Sequence, residues 1–359
     1  MTNKRKRRLP RITEVSPAQE APKRIVVSNE LPIPIPEPEE TLALISRLEQ
    51  LRNSHVVTLI AAPNVVFRGD VVEKIYEQLR NIGKVPQIDL FLYSSGGQTE
   101  IPWRIITIIR DFCDRFAVLI PAIAYSAATH LAMGADEIVM GSLSELSPVD
   151  PVRSHPLLPT KNDEGKTPLL ISVQDLRHCV EFIKREIGVS HSENIASSPE
   201  AMAIIISALF EKIHPLAIGA IQQSYALARL ISTKALSTHM NPETEQEKIE
   251  EIVHKLSDGF FSHDYRIGWK EAKYEIGLNV TYANDELWET MWNLYKNYSA
   301  YFILANIKDD KNLARPIFWI DSIYERRILE QLLLIEEGGK SQPVGTNWLA
   351  TPWSDHIDK

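Results

Sequence analysis

The sequence predicts an α/β protein of βαβ crossovers with a mainly parallel sheet and a helical C-terminal part. Three observations carry that expectation. Apolar runs of five to seven residues recur at Val56–Ala62, Ile88–Tyr93 and Phe116–Ile120. Amphipathic stretches at helical spacing fall between them. The connections are too long for hairpins and suit crossovers that cover both faces of a parallel sheet.

The elements follow in order. Residues 1–40 read as a basic, Pro-rich arm: seven of the 22 prolines lie there, and alternate prolines in LPIPIPEPEE favour an extended chain. Thr41–Asn53 is amphipathic. Asp70–Leu79 has helical spacing, with Asp70 as its expected N-cap. Ile88–Tyr93 reads as a buried strand entering Ser94-Ser95-Gly96-Gly97. Thr99–Phe112 places Pro102 in the first turn of a helix. Phe116–Ile120, Ser126–Gly134 and Glu137–Met140 repeat strand, helix, strand. A Pro-punctuated connection runs to Leu170, long enough to suggest a functional loop. Ser172–Ile187 and Ala201–Ser232 read as long helices, and residues 233–250 as a charged loop entering another. Near the C-terminus Pro316–Ile320 reads as a strand and Glu325–Glu337 as a helix.

Composition narrows the classes. With 44% hydrophobic and 24% charged residues, the 359-residue chain can build a full-sized core. It has no apolar run of membrane-spanning length, and its basic N-terminus has no apolar segment behind it, so a cytoplasmic setting is expected. Cys113 and Cys179 stand in apolar, helix-like contexts, which argues against a disulfide framework. The first 24 residues carry a net +6 against −8 for the whole chain, leaving −14 for the rest. The KRKRR cluster can contact nucleic acid or an anionic surface, but a solvated basic tail is the plainer reading. Neither GxxxxGK[ST] nor GxGxxG occurs, and no His/Cys/Asp/Glu spacing suggests zinc, so no nucleotide, other cofactor or metal is expected.

Two strand-to-helix junctions concentrate the chemistry. In parallel α/β sheets, sites form where strands end and helix N-termini begin. At the first junction, Gly96 and Gly97 allow positive φ and close approach, so their amides can face a developing oxyanion. At the second, Tyr125-Ser126-Ala127-Ala128 puts a hydroxyl at a helix start among small residues. A Gly-Gly also serves as a plain turn, and a serine before a helix as a cap. Trp103, Trp269, Trp288 and Trp292 read as core or interface anchors, and His214 and His263 as boundary residues held by backbone hydrogen bonds.

The succession IDLFLYSSGGQTEIPWRIITIIRDF, VLIPAIAYSAATHLAMGADEIVM, LSPVDPV, ISVQDL, HPLAIGAIQQSYALARL and LSDGFFSHDYRIGWKEAKYEIGL resembles the serine dehydrogenase proteinase family. That family belongs to the group containing Clp-type peptidase subunits and signal peptide peptidase A. The likeness runs from about Thr41 to Val280, which implies a peptidase domain over 41–296 and an extension of unassigned role over 297–359. It also implies a Clp/crotonase-like fold, Ser126 as nucleophile, Gly96 and Gly97 as oxyanion hole, a peptide or protein substrate, and a homo-oligomer. Relatives take the serine proton with His and Asp or with Lys. Where the Clp-type histidine is expected, this chain reads Leu146-Ser147-Pro148-Val149-Asp150-Pro151. The base therefore stays open among His155, Lys166, Lys184 and His130, with Asp150 either orienting a histidine or holding its loop. The alternatives to a serine peptidase are a non-catalytic oligomeric scaffold and an acyl-CoA enzyme of the crotonase type.

Overall fold

The computed structural model describes residues 24–26, 38–160, 169–188, 199–302, 304–307, 312–335 and 341–353. Most of the arm expected over 1–40 lies outside them. Within the arm, β1 (Arg24–Val26) forms a strand, and α1 (Pro38–Arg52) begins before its expected end. There follow β2 (His55–Ala61), α2 (Gly69–Ile82), β3 (Val85–Tyr93), α3 (Ile101–Phe112), β4 (Cys113–Ile120), β5 (Ile123–Ala124), α4 (Ala127–Met133) and β6 (Glu137–Met140). The middle of the chain holds β7 (Glu145–Leu146), β8 (Val152–Arg153), β9 (Ile171–Ser172), α5 (Val173–Gly188), α6 (Pro199–Lys212), α7 (Pro215–Leu236) and α8 (Pro242–Asp258). After β10 (Ile267–Gly268) come a π-helical turn (Glu271–Ile276), β11 (Val280–Tyr282), α9 (Asp285–Tyr301), β12 (Leu304–Ile307), β13 (Asn312–Asp321), β14 (Glu325–Ile335) and β15 (Ser341–Pro352).

The expected parallel sheet is present as β2, β3, β4, β6 and β11, each parallel to its neighbour. Its strands are apolar on both faces because both are covered. Alternate residues separate cleanly. Val57, Leu59, Leu90, Leu92, Val118, Ile120 and Ile138 face α2, α3, α4 and α8. Val56, Ile60, Phe91, Leu119 and Val139 face α1 and α9.

Several elements differ from the sequence expectation. Asp70 is not the N-cap of α2: the cap position is Arg68, without a side-chain cap bond. The Asp70 carboxylate instead accepts from Arg68 and from the Trp348 indole, each at 3.0 Å. The stretch 201–232 is not one helix but parts of α6 and α7. His214 caps α7 by accepting from the Leu216 amide at 3.1 Å, and Pro215 in the first turn donates no amide that an unbroken helix would need. The charged segment 233–250 is largely helical, shared between the end of α7 and the start of α8.

The largest correction concerns Glu325–Glu337, whose described residues form β14 and not a helix. Its apolar spacing suits either structure. Pairing with β13 on one side and β15 on the other decides for the strand. These C-terminal strands do not form a separate appendage, because β13 pairs antiparallel with β2 and so continues the main sheet. The expected boundary at 296/297 falls inside α9.

A buried polar network locks that junction. The Tyr298 hydroxyl donates to Asp321 at 2.7 Å, Arg326 Nε donates to the same carboxylate at 2.9 Å, and the Asp321 amide donates to Thr58 Oγ1 at 2.9 Å. Four elements (β2, α9, β13 and β14) meet at this one aspartate, three side chains and one backbone amide taking part. Asp321→Ala leaves the guanidinium of a nearly fully buried arginine uncompensated, and is expected to cost about 3–5 kcal/mol. Urea unfolding checks this. A loss below about 1 kcal/mol would mean the C-terminal strands contribute little to the folded core.

Candidate active site

The site is assembled at the carboxyl ends of β3 and β4. Ser94 continues β3 and pairs with Ala124 of β5: the Ser94 amide donates to the Ile123 carbonyl at 3.1 Å, and the Tyr125 amide to the Ser94 carbonyl at 3.0 Å. The diglycine turn and the serine turn are therefore hydrogen-bonded neighbours. A Cβ on Gly96 would stand 2.7 Å from the Tyr125 carbonyl oxygen and 3.0 Å from Ser126 Cβ. One on Gly97 would run into the Phe67 backbone. Gly96 (φ 101°) and Gly97 (φ 147°) both occupy backbone that side chains disfavour. At Gly96, space and backbone conformation thus each demand glycine against the serine turn.

Ser126 is itself strained. Three non-glycine residues among those described have positive φ. Two are asparagines, the type that tolerates the left-handed region best. Ser126 has φ 52° and ψ −115°, well outside the left-handed well. It precedes α4 but makes no side-chain cap bond. A serine serving as a cap uses its oxygen on the helix amides; this one does not. Its amide is instead held by Ser147 Oγ at 2.7 Å. The Thr129 hydroxyl donates to the Ala124 carbonyl at 2.8 Å and accepts from the Ser147 amide at 3.2 Å.

The oxyanion donors come out differently from the sequence expectation. The Gly96 amide is already donating to Ser94 Oγ at 3.0 Å, so its place in the site is steric. The Gly97 amide makes no hydrogen bond among the described residues. Neither does that of Ala127, which as the first residue of α4 has no intrahelical acceptor.

The expected bases fare unevenly. His130 points away into the core: it is 2% exposed, its Nδ1 lies 3.0 Å from Ser232 Oγ, and burial pushes its imidazole down to about 3. His155 lies in a surface turn, where its Nδ1 accepts from the Leu157 amide at 3.2 Å. Lys166 lies outside the described residues. Lys184 is on α5, and its side chain lies outside them too. No hydrogen bond joins Ser126 Oγ to a histidine or lysine among the described residues.

Asp150 is brought together with His263, which the sequence reads as a boundary residue and not as a candidate base. Its Oδ1 lies 3.1 Å from His263 Nδ1, with the carboxylate side chain 4% exposed and the imidazole 30% exposed. Burial disfavours the imidazolium, but the hydrogen bond and charge of Asp150 outweigh it and raise the His263 pKa above its ordinary value. The two residues are 113 apart in sequence, so no local spacing signals the pair.

Next to the serine, the Tyr125 hydroxyl donates to Glu145, and the Arg266 guanidinium sits 4.0 Å over the Tyr125 ring. A cavity of about 470 Å³ lies at the other end of α4, lined by Met133, His239 and Lys273, and contains none of these groups. Among the described residues no cluster of His, Cys, Asp or Glu is placed to hold a metal ion. No described helix is long and apolar enough to cross a membrane.

No family model matches the chain. Two uncharacterized proteins of Methanocaldococcus jannaschii are similar to it. One is 24% identical over 265 residues, covering 71% of this chain and 78% of that protein. The other is 28% identical over 120 residues, covering 31% and 41%. Among solved structures, a membrane-bound stomatin-specific protease variant aligns over 63% of this chain and 79% of its own, at 12% identity and TM-score 0.36. A ClpP1 variant from Listeria monocytogenes aligns over 67% and 99%, at 13% identity and TM-score 0.36. At such scores the chemistry rests on this chain's own residues.

The buried His130 has a measurable consequence. It stays neutral when folded but takes a proton when unfolded below its ordinary pKa of 6.5. The unfolded state then binds more protons, so stability falls as pH falls below that value, by up to about 1.4 kcal/mol per unit. The slope levels off near about 3. Urea unfolding at about pH 7 and about pH 5 should show this slope reduced in His130→Gln; equal slopes would remove His130 as its source.

Proposed function

We propose that this protein is a serine peptidase in which Ser126 Oγ attacks the carbonyl carbon of a peptide bond. The observation that carries the reading is the contact of the diglycine turn with a serine held at φ 52° and ψ −115° without a capping bond. Strain of this kind costs on the order of 1–3 kcal/mol and persists only where surrounding structure enforces it. A serine on a strained strand-to-helix turn presents its hydroxyl outward. The two unengaged amides, of Gly97 and Ala127, then supply donors for the oxyanion, aided by the N-terminus of α4. Gly96 allows the close approach. The ordered resemblance described above supports the same reading.

A structural cap or a scaffold would not need that strain, and the two readings separate experimentally. A fluorophosphonate probe is expected to label Ser126, and Ser126→Ala to abolish both labelling and peptide hydrolysis. Ser126→Gly should also be inactive yet more stable by about 1 kcal/mol, because the backbone strain is relieved in excess of the glycine entropy cost. Unchanged labelling in Ser126→Ala would overturn the assignment; a folded wild type inert to the probe would favour the scaffold.

We also propose self-association. Phe182, Ile204, Phe210, Leu216 and Leu230, on α5, α6 and α7, expose large apolar side chains, and covering them with a second copy of the chain would remove that apolar area from water. Sedimentation at micromolar concentration should report a species larger than the monomer, and a monomer would refute this.

A further inference from the structure

We propose that His263, held by Asp150, is the group that takes the proton from Ser126, so that the proton-relay residues lie in the chain order Ser126, Asp150, His263. The inference rests on the serine-peptidase reading. It is carried by the small sheet of β5, β7 and β10, which lies across the ends of the main strands. In it β5 runs parallel to β7, pairing Ala124 with Leu146, and β10 runs antiparallel to β7, pairing Ile267 with Leu146. With β7 in the middle, the chain leaving it toward Asp150 runs beside the segment from β5 to Ser126, and the chain entering β10 from His263 runs along its other side.

Contacts on both flanks bear this out. Ser147, three residues before Asp150, holds the Ser126 amide through its Oγ at 2.7 Å. Arg266, three residues after His263, lies 4.0 Å over the ring of Tyr125, the serine's neighbour. The Val149 amide donates to the Leu256 carbonyl at 2.9 Å and ties the Asp150 loop to the end of α8, from which the His263 segment departs.

The chemistry of the pair then follows from its hydrogen bond. A carboxylate only accepts, so His263 Nδ1 carries the proton given to Asp150, and Nε2 of the neutral ring keeps a lone pair. Asp150, nearly fully buried, acts as a positioning residue by fixing ring and tautomer. In the reaction the Ser126 Oγ–H proton passes to His263 Nε2 as the Oγ–C bond forms. When the C–N bond breaks, that proton goes to the leaving amine. A water then gives its proton to the same Nε2 as its oxygen attacks the acyl carbon, and the proton returns to Ser126 Oγ as the acid departs. Catalytic hydrogen bonds commonly tighten only with substrate bound, which accommodates the unbonded Ser126 hydroxyl.

The position at which the family resemblance leads one to expect a histidine is thus held by its carboxylate partner, and the imidazole is supplied from the far side of four helices. His130 and His155 are engaged elsewhere, as described.

The test is the rate of fluorophosphonate labelling of Ser126 in the full-length protein from about pH 5 to about pH 9. The charged groups facing His263 are Asp150, from the loop after β7, and Asp264, from its own turn. Both favour the imidazolium, so the wild-type limb should lie above the ordinary imidazole value of 6.5. His263→Ala should lower the rate by about 10²–10⁴-fold and abolish the limb, with partial rescue by added imidazole. Asp150→Asn should lower the rate and shift the limb downward. A role in folding alone would produce neither rescue nor a displaced limb, and circular dichroism of each variant identifies any that has failed to fold. Labelling of Ser126 at the wild-type rate and with the wild-type limb in His263→Ala would overturn the assignment while leaving the serine reading intact. Labelling that persists in Ser126→Ala would instead overturn that reading, and this inference with it.

Discussion

The contact between two turns governs the site. Gly96 packs against the carbonyl of Tyr125 and the Cβ of Ser126 at distances no side chain would permit, and the Ser94–Ala124 bridge fixes the turns in register. Because β3 and β4 are adjacent parallel strands, both turns leave the same edge of the sheet. Main-chain hydrogen bonds then hold Ser126 in a conformation it would not choose. The strain is local, but what maintains it is the whole parallel sheet, whose strands are clamped between two apolar layers.

The second support is the loop after β7. Ser147 grips the Ser126 amide, Thr129 grips Ser147, and Asp150 reaches His263. These groups come from three parts of the chain, and the hydrogen bonds named here tie them to one another. A partly satisfied buried network would be costly, so the geometry tends to be kept or lost as a unit. On the other side of the sheet, the C-terminal strands extend it beyond β2 and join through the Asp321 network. They buttress the strand neighbouring β3 without reaching the site.

Much of this was legible in the residues. The strands of the parallel core, α3 with Pro102 in its first turn, and α4 after Ser126 all declare themselves through short-range periodicity and turn chemistry. The two candidate turns were legible for the same reason. What failed was anything decided by a distant partner. Asp70 looks like a cap until Trp348 takes its carboxylate. Glu325–Ile335 looks helical until two strands flank it. His263 looks like a boundary residue until Asp150 is seen beside it.

By itself the sequence determined the alternation of strand and helix, the apolar strands that require cover on both faces, and the small residues around Ser126, because each follows from neighbours a few positions apart. Tertiary structure alone decided that the diglycine turn meets the serine, that Asp150 meets His263, and that the last strands join the main sheet. Those contacts span up to hundreds of residues, and the energy that selects them comes from packing and hydrogen bonds that exist only after the chain has closed on itself.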